Sequence, residues 1–298
     1  MAKRNKIKKD YFGYYFIAPF FIAYVIFGIY PVLTTFKLGF FKYDMNIPTD
    51  QFVGFKYILR ALQDKNVWQG IWVALKFWFI GNLLVQITAL MLAAMFTYLK
   101  IKGDHFFKSS YYLPALVSTS VVATIFSLFI GYPDGTINQL LLNMGIIVNP
   151  QLFTSMKVII FSLIVFLGWW MGFGGTTIIA NAGMTSISPD LYEAAKIDGA
   201  NFFQVFTKIT IPLIWPVLTY MWLTGLIWGL QAFDLPFMIT KGTGGGPDNV
   251  VRTIVMYIYR HGFEVGNVGY AAGISIVFFL TIVILSFFML FIMRRQGE

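Results

Sequence analysis

Six times along this 298-residue chain an apolar run returns that is long enough to cross a bilayer, at roughly 12–35, 71–98, 110–131, 156–181, 213–239 and 269–292. A helix needs about 20 residues to span the hydrocarbon layer. Charged residues make up only 12% of the chain and hydrophobic ones 58%, where a soluble chain carries about a quarter charged. That much apolar surface has no place in one globular core, so lipid is its natural solvent. Helices are the expected form, because each satisfies its own backbone polar groups within one segment. The ten-residue alternation of a membrane β-barrel is not visible. The pattern predicts an all-α polytopic membrane protein, a single domain over 1–298 with six transmembrane helices. Lys76 lies near one end of the second span, where it can snorkel to the headgroups, and Asp234 near the outer end of the fifth.

The residue inventory excludes several chemistries. There is no cysteine, hence no disulfide, thiol nucleophile or Cys-ligated metal. The two histidines, His105 and His261, are far apart, which leaves little for a zinc site or a His-based triad, and no metal ligand set is assigned. The net charge of +9 reads as the basic bias of one membrane side rather than as nucleic-acid binding. Five basic residues precede the first span (Lys3, Arg4, Lys6, Lys8 and Lys9). That span is longer than a signal peptide's apolar core of about 7–15 residues, so it reads as uncleaved. With the N-terminus inside, twelve of the 22 Lys and Arg fall on the cytoplasmic side, concentrated at the two ends and in the loop at 99–109. Both termini are then cytoplasmic.

The loop at 36–70 mixes apolar and polar residues and predicts a short helix on the membrane surface; that at 132–155 is polar and turn-rich. The run Gly242-Thr243-Gly244-Gly245-Gly246-Pro247 lacks the Lys-Ser/Thr of a phosphate loop. Between the fourth and fifth spans, at 182–212, the sequence writes two short helices. Ser188-Pro189-Asp190 is a helix start, with Ser as N-cap, Pro at the first helical position and an acid in the first turn. Gly199 ends the helix, and Asn201 with Gln204 three residues on forms a capping-box pattern. Such a ridge fits a groove on another protein, with Ala194, Ala195 and Ala200 permitting close approach and Glu193 and Asp198 offering charge. An amphipathic elbow lying on the membrane fits the same pattern.

Glu193-Ala194-Ala195, Asp198-Gly199-Ala200, Phe206, Ile209, Pro212 and Pro216 at this spacing resemble the EAA loop of ABC importer permeases. Leu113-Pro114, Thr240, Gly245-Gly246-Pro247, Tyr257, Tyr259, Phe263 and Gly269-Tyr270-Ala271-Ala272 are similar to the carbohydrate-type branch, which holds maltose, multiple-sugar and glycerol-phosphate permeases. The resemblance covers about 70–298 and, loosely, the first span. It implies a subunit of a prokaryotic cell membrane that hydrolyses nothing itself and binds no cofactor. A second, homologous permease would complete the pore. Two cytoplasmic ABC ATPase subunits would use ATP and Mg, taking the EAA loop into their clefts, and an extracytoplasmic solute-binding protein would deliver the carbohydrate. A glycerol-phosphate substrate, or an ion-coupled secondary carrier, are the alternatives. The carrier would want an intramembrane carboxylate relay, for which only Asp234 is available.

Sugar sites pair aromatic faces with hydrogen-bonding groups. The fourth span offers Gly168, Trp170, Met171, Gly172 and Gly175; the fifth offers Gly225, Trp228, Gly229, Gln231 and Ala232. Gly225, Trp228, Gly229 and Ala232 follow i, i+3, i+4, i+7 spacing and share a face. Close helix packing accounts for the same glycines. The resemblance places sugar contacts at Met171, Gly172, Gly175, Gly225, Trp228, Gly229 and Ala232. Small residues at 175, 229 and 232 stand where the maltose relative carries larger or amide ones, which makes maltose doubtful and suggests a roomier passage, with Trp170, Trp228 and Gln231 lining an oligosaccharide cavity at mid-membrane. Asn82 and Gln86, one turn apart on the second span, face either a neighbouring helix or the pathway.

Overall fold

The computed structural model describes residues 12–45, 51–99, 103–242 and 244–296. The basic residues Lys3, Arg4, Lys6, Lys8, Lys9, Lys100 and Lys102, on which the orientation argument leans, lie outside them. Nearly all described segments are helical, and the contacts divide the chain into two units, one of residues 1–63 and 261–277 and one of 64–260 and 278–298.

In the first unit, α1 (Phe12–Tyr24) passes through a π-turn (Val25–Ile29) into α2 (Tyr30–Gly39). The apolar stretch Tyr14–Gly39 is long enough to span. Its side chains are exposed almost throughout, Phe16 and Phe27 among the most open, as expected of a helix whose packing partner is lipid. A two-residue hairpin, β1 (Phe41–Lys42) against β2 (Gln51–Phe52), leads to α3 (Lys56–Gln63). This is the short helix expected within 36–70. It turns Tyr57 and Ala61 inward and leaves Phe55, Leu59 and Leu62 exposed. The inward face meets the start of α15 (Val268–Gln296), where Gly273 makes room: a β-carbon there would lie 2.9 Å from Tyr57 Cβ. The Arg60 guanidinium lies over the Tyr270 ring at 4.4 Å. Burial raises the Tyr57 phenol above its usual pKa.

The second unit is built on α4 (Lys65–Leu99). It starts six residues before the expected boundary because Asp64 caps it, its carboxylate accepting from the Asn66 N–H at 2.8 Å. The side chains of Asp64 and Asn66 also hold the far loop: Tyr257 donates to Asp64 at 2.7 Å and Arg252 to Asn66 at 2.7 Å. The third span departs from expectation. In place of one helix over 110–131 there are two, α5 (Asp104–Leu116) and α6 (Thr119–Phe129), bent by 81°. Pro114 withholds an N–H from the last turn of α5, Val117 is extended, and the chain restarts at Ser118. Among the described residues, five helices are therefore long and apolar enough to cross a membrane, six when the bent pair is one span.

After α7 (Thr136–Asn143), α8 (Lys157–Thr185) packs extensively on α4 and also receives α5; at Gly174 a β-carbon would collide with the Tyr111 carbonyl. Two hydrogen bonds stitch α8 to α4, Trp169 Nε1 to Thr88 Oγ1 at 2.9 Å and Asn181 Nδ2 to Thr97 Oγ1 at 3.1 Å. The short α9 (Pro189–Ile197), α10 (Phe202–Val205) and α11 (Ile211–Leu213) then lead into the fifth span. That span is also interrupted, α12 (Trp215–Leu230) giving way at Gln231–Phe233 to α13 (Asp234–Ile239). The break frees the Ala232 carbonyl, which accepts from the Thr253 hydroxyl at 2.7 Å. Thr253 also caps α14 (Ile254–Tyr259). One apolar core gathers Val73, Phe77, Ile160, Leu167, Ile239 and Val251. A second, built from Ala93, Ala180, Met184, Ile187, Ile214 and Leu218, lies beneath the α9–α11 segment.

Candidate functional site

Local chemistry dictates the α9–α10 segment almost atom by atom. The Ser188 side chain accepts from the Asp190 N–H at 3.4 Å, and Pro189 fills the first helical position. At the other end Gly199 takes φ +77°, left-handed backbone that costs a β-carbon about 1 kcal/mol or more. That conformation lets the Ala200 N–H reach the Ala195 carbonyl at 2.9 Å and the Gly199 N–H reach the Lys196 carbonyl at 3.2 Å, the paired bonds of a Schellman stop. Asn201 and Gln204 close a reciprocal capping box, the Asn201 N–H to Gln204 Oε1 at 2.8 Å and the Gln204 N–H to Asn201 Oδ1 at 2.9 Å. Two helices thus meet at a corner with most end groups already bonded.

A hydroxyl hub fastens this corner to the helices below. Thr210 is fully buried in the π-turn Phe206–Thr210. Its Oγ1 is hydrogen-bonded to the Tyr98 phenol at the end of α4 and lies 3.4 Å from that of Tyr192 on α9. Tyr192 also donates to the Met184 carbonyl of α8 at 3.5 Å. Aromatic rings enclose the hub: Tyr98 meets Tyr192 and Phe202 edge-on, each at 5.3 Å, and Phe202 stacks on Phe206. The long helices α4 and α8 therefore share one knot with the short loop. Tyr98, Tyr192 and Thr210 were not singled out from the sequence.

The outward side of the corner carries an unpartnered mixture of acid and apolar groups. Glu193, Ala194, Asp198 and Gly199 are exposed, together with Leu191, Phe203 and Ile197, the last 87% open. One expectation is corrected: Ala195 turns inward and is buried, and Ala200 is half-buried, so of the three alanines Ala194 alone is fully open to a partner. The inward alanine is where the Schellman stop closes.

The expected pathway residues do not surround one cavity. Trp170 and Met171 pack into the core around Phe126 and Ile164, whereas Trp228, 78% exposed, and Gln231 face outward. Gly172 faces Val85 and Gly175 the Tyr112 ring. Gly225 and Gly229 lie directly against Asn82 and Trp78 of α4, and a β-carbon at 229 would stand 2.8 Å from Trp78 Cβ. The close-packing alternative thus describes these two glycines in the present conformation. Ala232 marks the break after α12. Two cavities of about 460 and 470 Å³ lie elsewhere, one between α4, α12 and α15 around Trp78, Trp215 and Trp222, the other beside Tyr132, Thr240 and Pro247.

The family described as "Binding-protein-dependent transport system inner membrane component" matches residues 70–297. The chain is 32% identical over 276 residues to the arabinooligosaccharides transport system permease protein of Bacillus subtilis, covering 92% of this chain and 85% of that one. It is 31% identical over 299 residues to the lactose transport system permease protein of Rhizobium radiobacter, covering 99% of each. Among solved structures, a chain of a bacterial alginate ABC transporter in complex with alginate pentasaccharide-bound periplasmic protein superposes with a TM-score of 0.77 at 23% identity, covering 98% of this chain and 97% of that one. The match across nearly the whole helical unit, corner included, and the full-length relatives lead to one conclusion: this chain belongs to the family of inner-membrane components of binding-protein-dependent transport systems, the ABC importer permeases.

Proposed function

We propose that the chain is one permease subunit of an ATP-driven carbohydrate importer, with an oligosaccharide as its cargo. The observation that carries the coupling half of this reading is the α9–α10 corner, locally self-bonded, exposed on its acid and apolar side, and knotted to α4 and α8 through Thr210. In this reading the corner faces the cytoplasm with both termini and docks through Glu193, Ala194, Asp198 and Gly199 in a cleft of an ABC ATPase subunit, which binds and uses ATP and Mg. A second, homologous permease completes the pore, and an extracytoplasmic binding protein delivers the cargo. The carbohydrate half is supported by relatives named for arabino-oligosaccharides and lactose and by a structural neighbour described with a pentasaccharide-loaded periplasmic protein. Coupling requires that the ATPase grip the corner differently in two states of the pore.

The test is Gly199→Arg in the full importer reconstituted with its binding protein and ATPase. Transport should fall to background and stimulation of ATP hydrolysis by loaded binding protein should vanish. Normal stimulated hydrolysis would defeat the docking assignment. Trp228→Ala reads the pathway separately. Trp228 is 78% exposed in this chain, so assembly should survive its truncation while uptake weakens, and unchanged uptake would remove Trp228 from the passage.

A further inference from the structure

We infer that the strip Trp78, Asn82 and Gln86 on α4 is a substrate-recognition edge for a neutral, hydroxyl-rich solute, shut against α12 in this conformation; the inference rests on the carbohydrate reading above. Trp78 Nε1, Asn82 Nδ2 and Gln86 Oε1 are all buried and without a hydrogen-bond partner. Gln86 is only 2% exposed, and its amide nitrogen points along the strip to Asn82 Oδ1 at 3.5 Å. The three residues recur every fourth position and so form one line on the helix. Asn82 is at the midpoint of the span Lys65–Tyr98, the depth at which an unmet polar group costs most. Elsewhere on α4 the same helix is economical: Thr88 and Thr97 are bonded by Trp169 and Asn181 of α8.

At two positions the opposing surface is bare. Gly225 of α12 stands against the Asn82 amide and Gly229 against Trp78. These are positions at which a larger or polar side chain on α12 would have supplied the lining itself. At these two positions α12 presents backbone, the Trp222 ring packs edge-on against Trp78 at 6.3 Å, and the hydrogen-bonding capacity comes from α4: an indole donor, an amide donor and an amide acceptor, with no charge. An indole face beside neutral amides is the mixture that suits a sugar's C–H faces and hydroxyl rim. Eight residues of helix set the outer two groups about 12 Å apart along the axis, longer than a single pyranose ring. Parting α4 from α12 would free Trp78 and Asn82 for a ligand, with Gln86 next along the strip, so the unmet polar groups of the closed state favour the loaded, opened one.

The experiment uses the complete importer in proteoliposomes with lactose, maltose and arabinotriose as probes. The variants Gln86→Met and Asn82→Leu keep side-chain volume and remove polarity. The expected result is uptake of the transported probe reduced about tenfold or more for each, the scale of one lost hydrogen bond, with melting temperature equal to or above that of the parent. Uptake within twofold of the parent, together with a raised melting temperature, would show that the strip is an unmet packing defect and overturn the inference alone. A parent importer that carries none of the three sugars would overturn the carbohydrate reading and the inference with it.

Discussion

Thr210 is fully buried beneath the exposed corner, with two phenols on its hydroxyl. Thr210→Val keeps the shape and removes the oxygen, leaving the Tyr98 phenol its interaction with Tyr192 alone, while Tyr192 retains the Met184 carbonyl. A loss of about 1 kcal/mol in stability is expected for one lost hydrogen bond. If the hub transmits motion, the variant should also hydrolyse more ATP per sugar moved than the parent, measured in proteoliposomes. An unchanged ratio would reduce the hub to a packing feature. What the sequence disclosed at this scale follows from range. Ser188, Gly199, Asn201 and Gln204 act on atoms within five residues, so their caps are readable from order alone, whereas Tyr98 and Thr210 meet across 112 residues and carry no local signal. Ala195 fails for the same reason: its spacing says it is on a helix, and only the fold says which side is covered.

At the scale of elements, apolar length identified the spans and missed their breaks. A run such as 110–131 is uncharged and apolar on average, and the bend between α5 and α6 comes from Pro114 and the Ser118 restart inside it. The fifth span breaks at Gln231–Phe233 because Thr253, far along the chain, is there to bond the freed carbonyl. The start of α4 has its own chemical signature. Burial, then the hydrogen bond to Asp64, holds the Tyr257 phenol protonated well beyond its usual pKa of 10.0, pushing it up to about 12. A folded-state pKa raised in this way contributes stability that is complete below pH 10 and is lost as the pH climbs toward 12. Tyr257→Phe should therefore cost about 1 kcal/mol near neutrality and flatten the alkaline decline, read as melting temperature against pH. An equally steep decline in the variant would assign the slope to another group.

At the scale of the whole molecule, the exposed apolar surface and the exposed corner ask for different partners. Ile197 and Phe203 are open beside Glu193 and Asp198, a mixture suited to a protein groove rather than to lipid. Phe16 and Phe20 on α1 and Phe27 in the π-turn that follows it are open with no charge nearby, as a lipid-facing span should be. The chain has no cysteine, so single reporter sites can be placed on an unaltered background. The most direct measurement is cross-linking from Ile197→Cys, with Val148→Cys, 90% exposed in the loop after α7, as its counterpart. In the assembled importer Ile197→Cys should cross-link to the ATPase subunit, in a manner that changes with bound nucleotide, while Val148→Cys does not. Cross-links from Val148→Cys to the ATPase, with none from Ile197→Cys, would contradict the assignment of this corner as the point where the motor grips the pore.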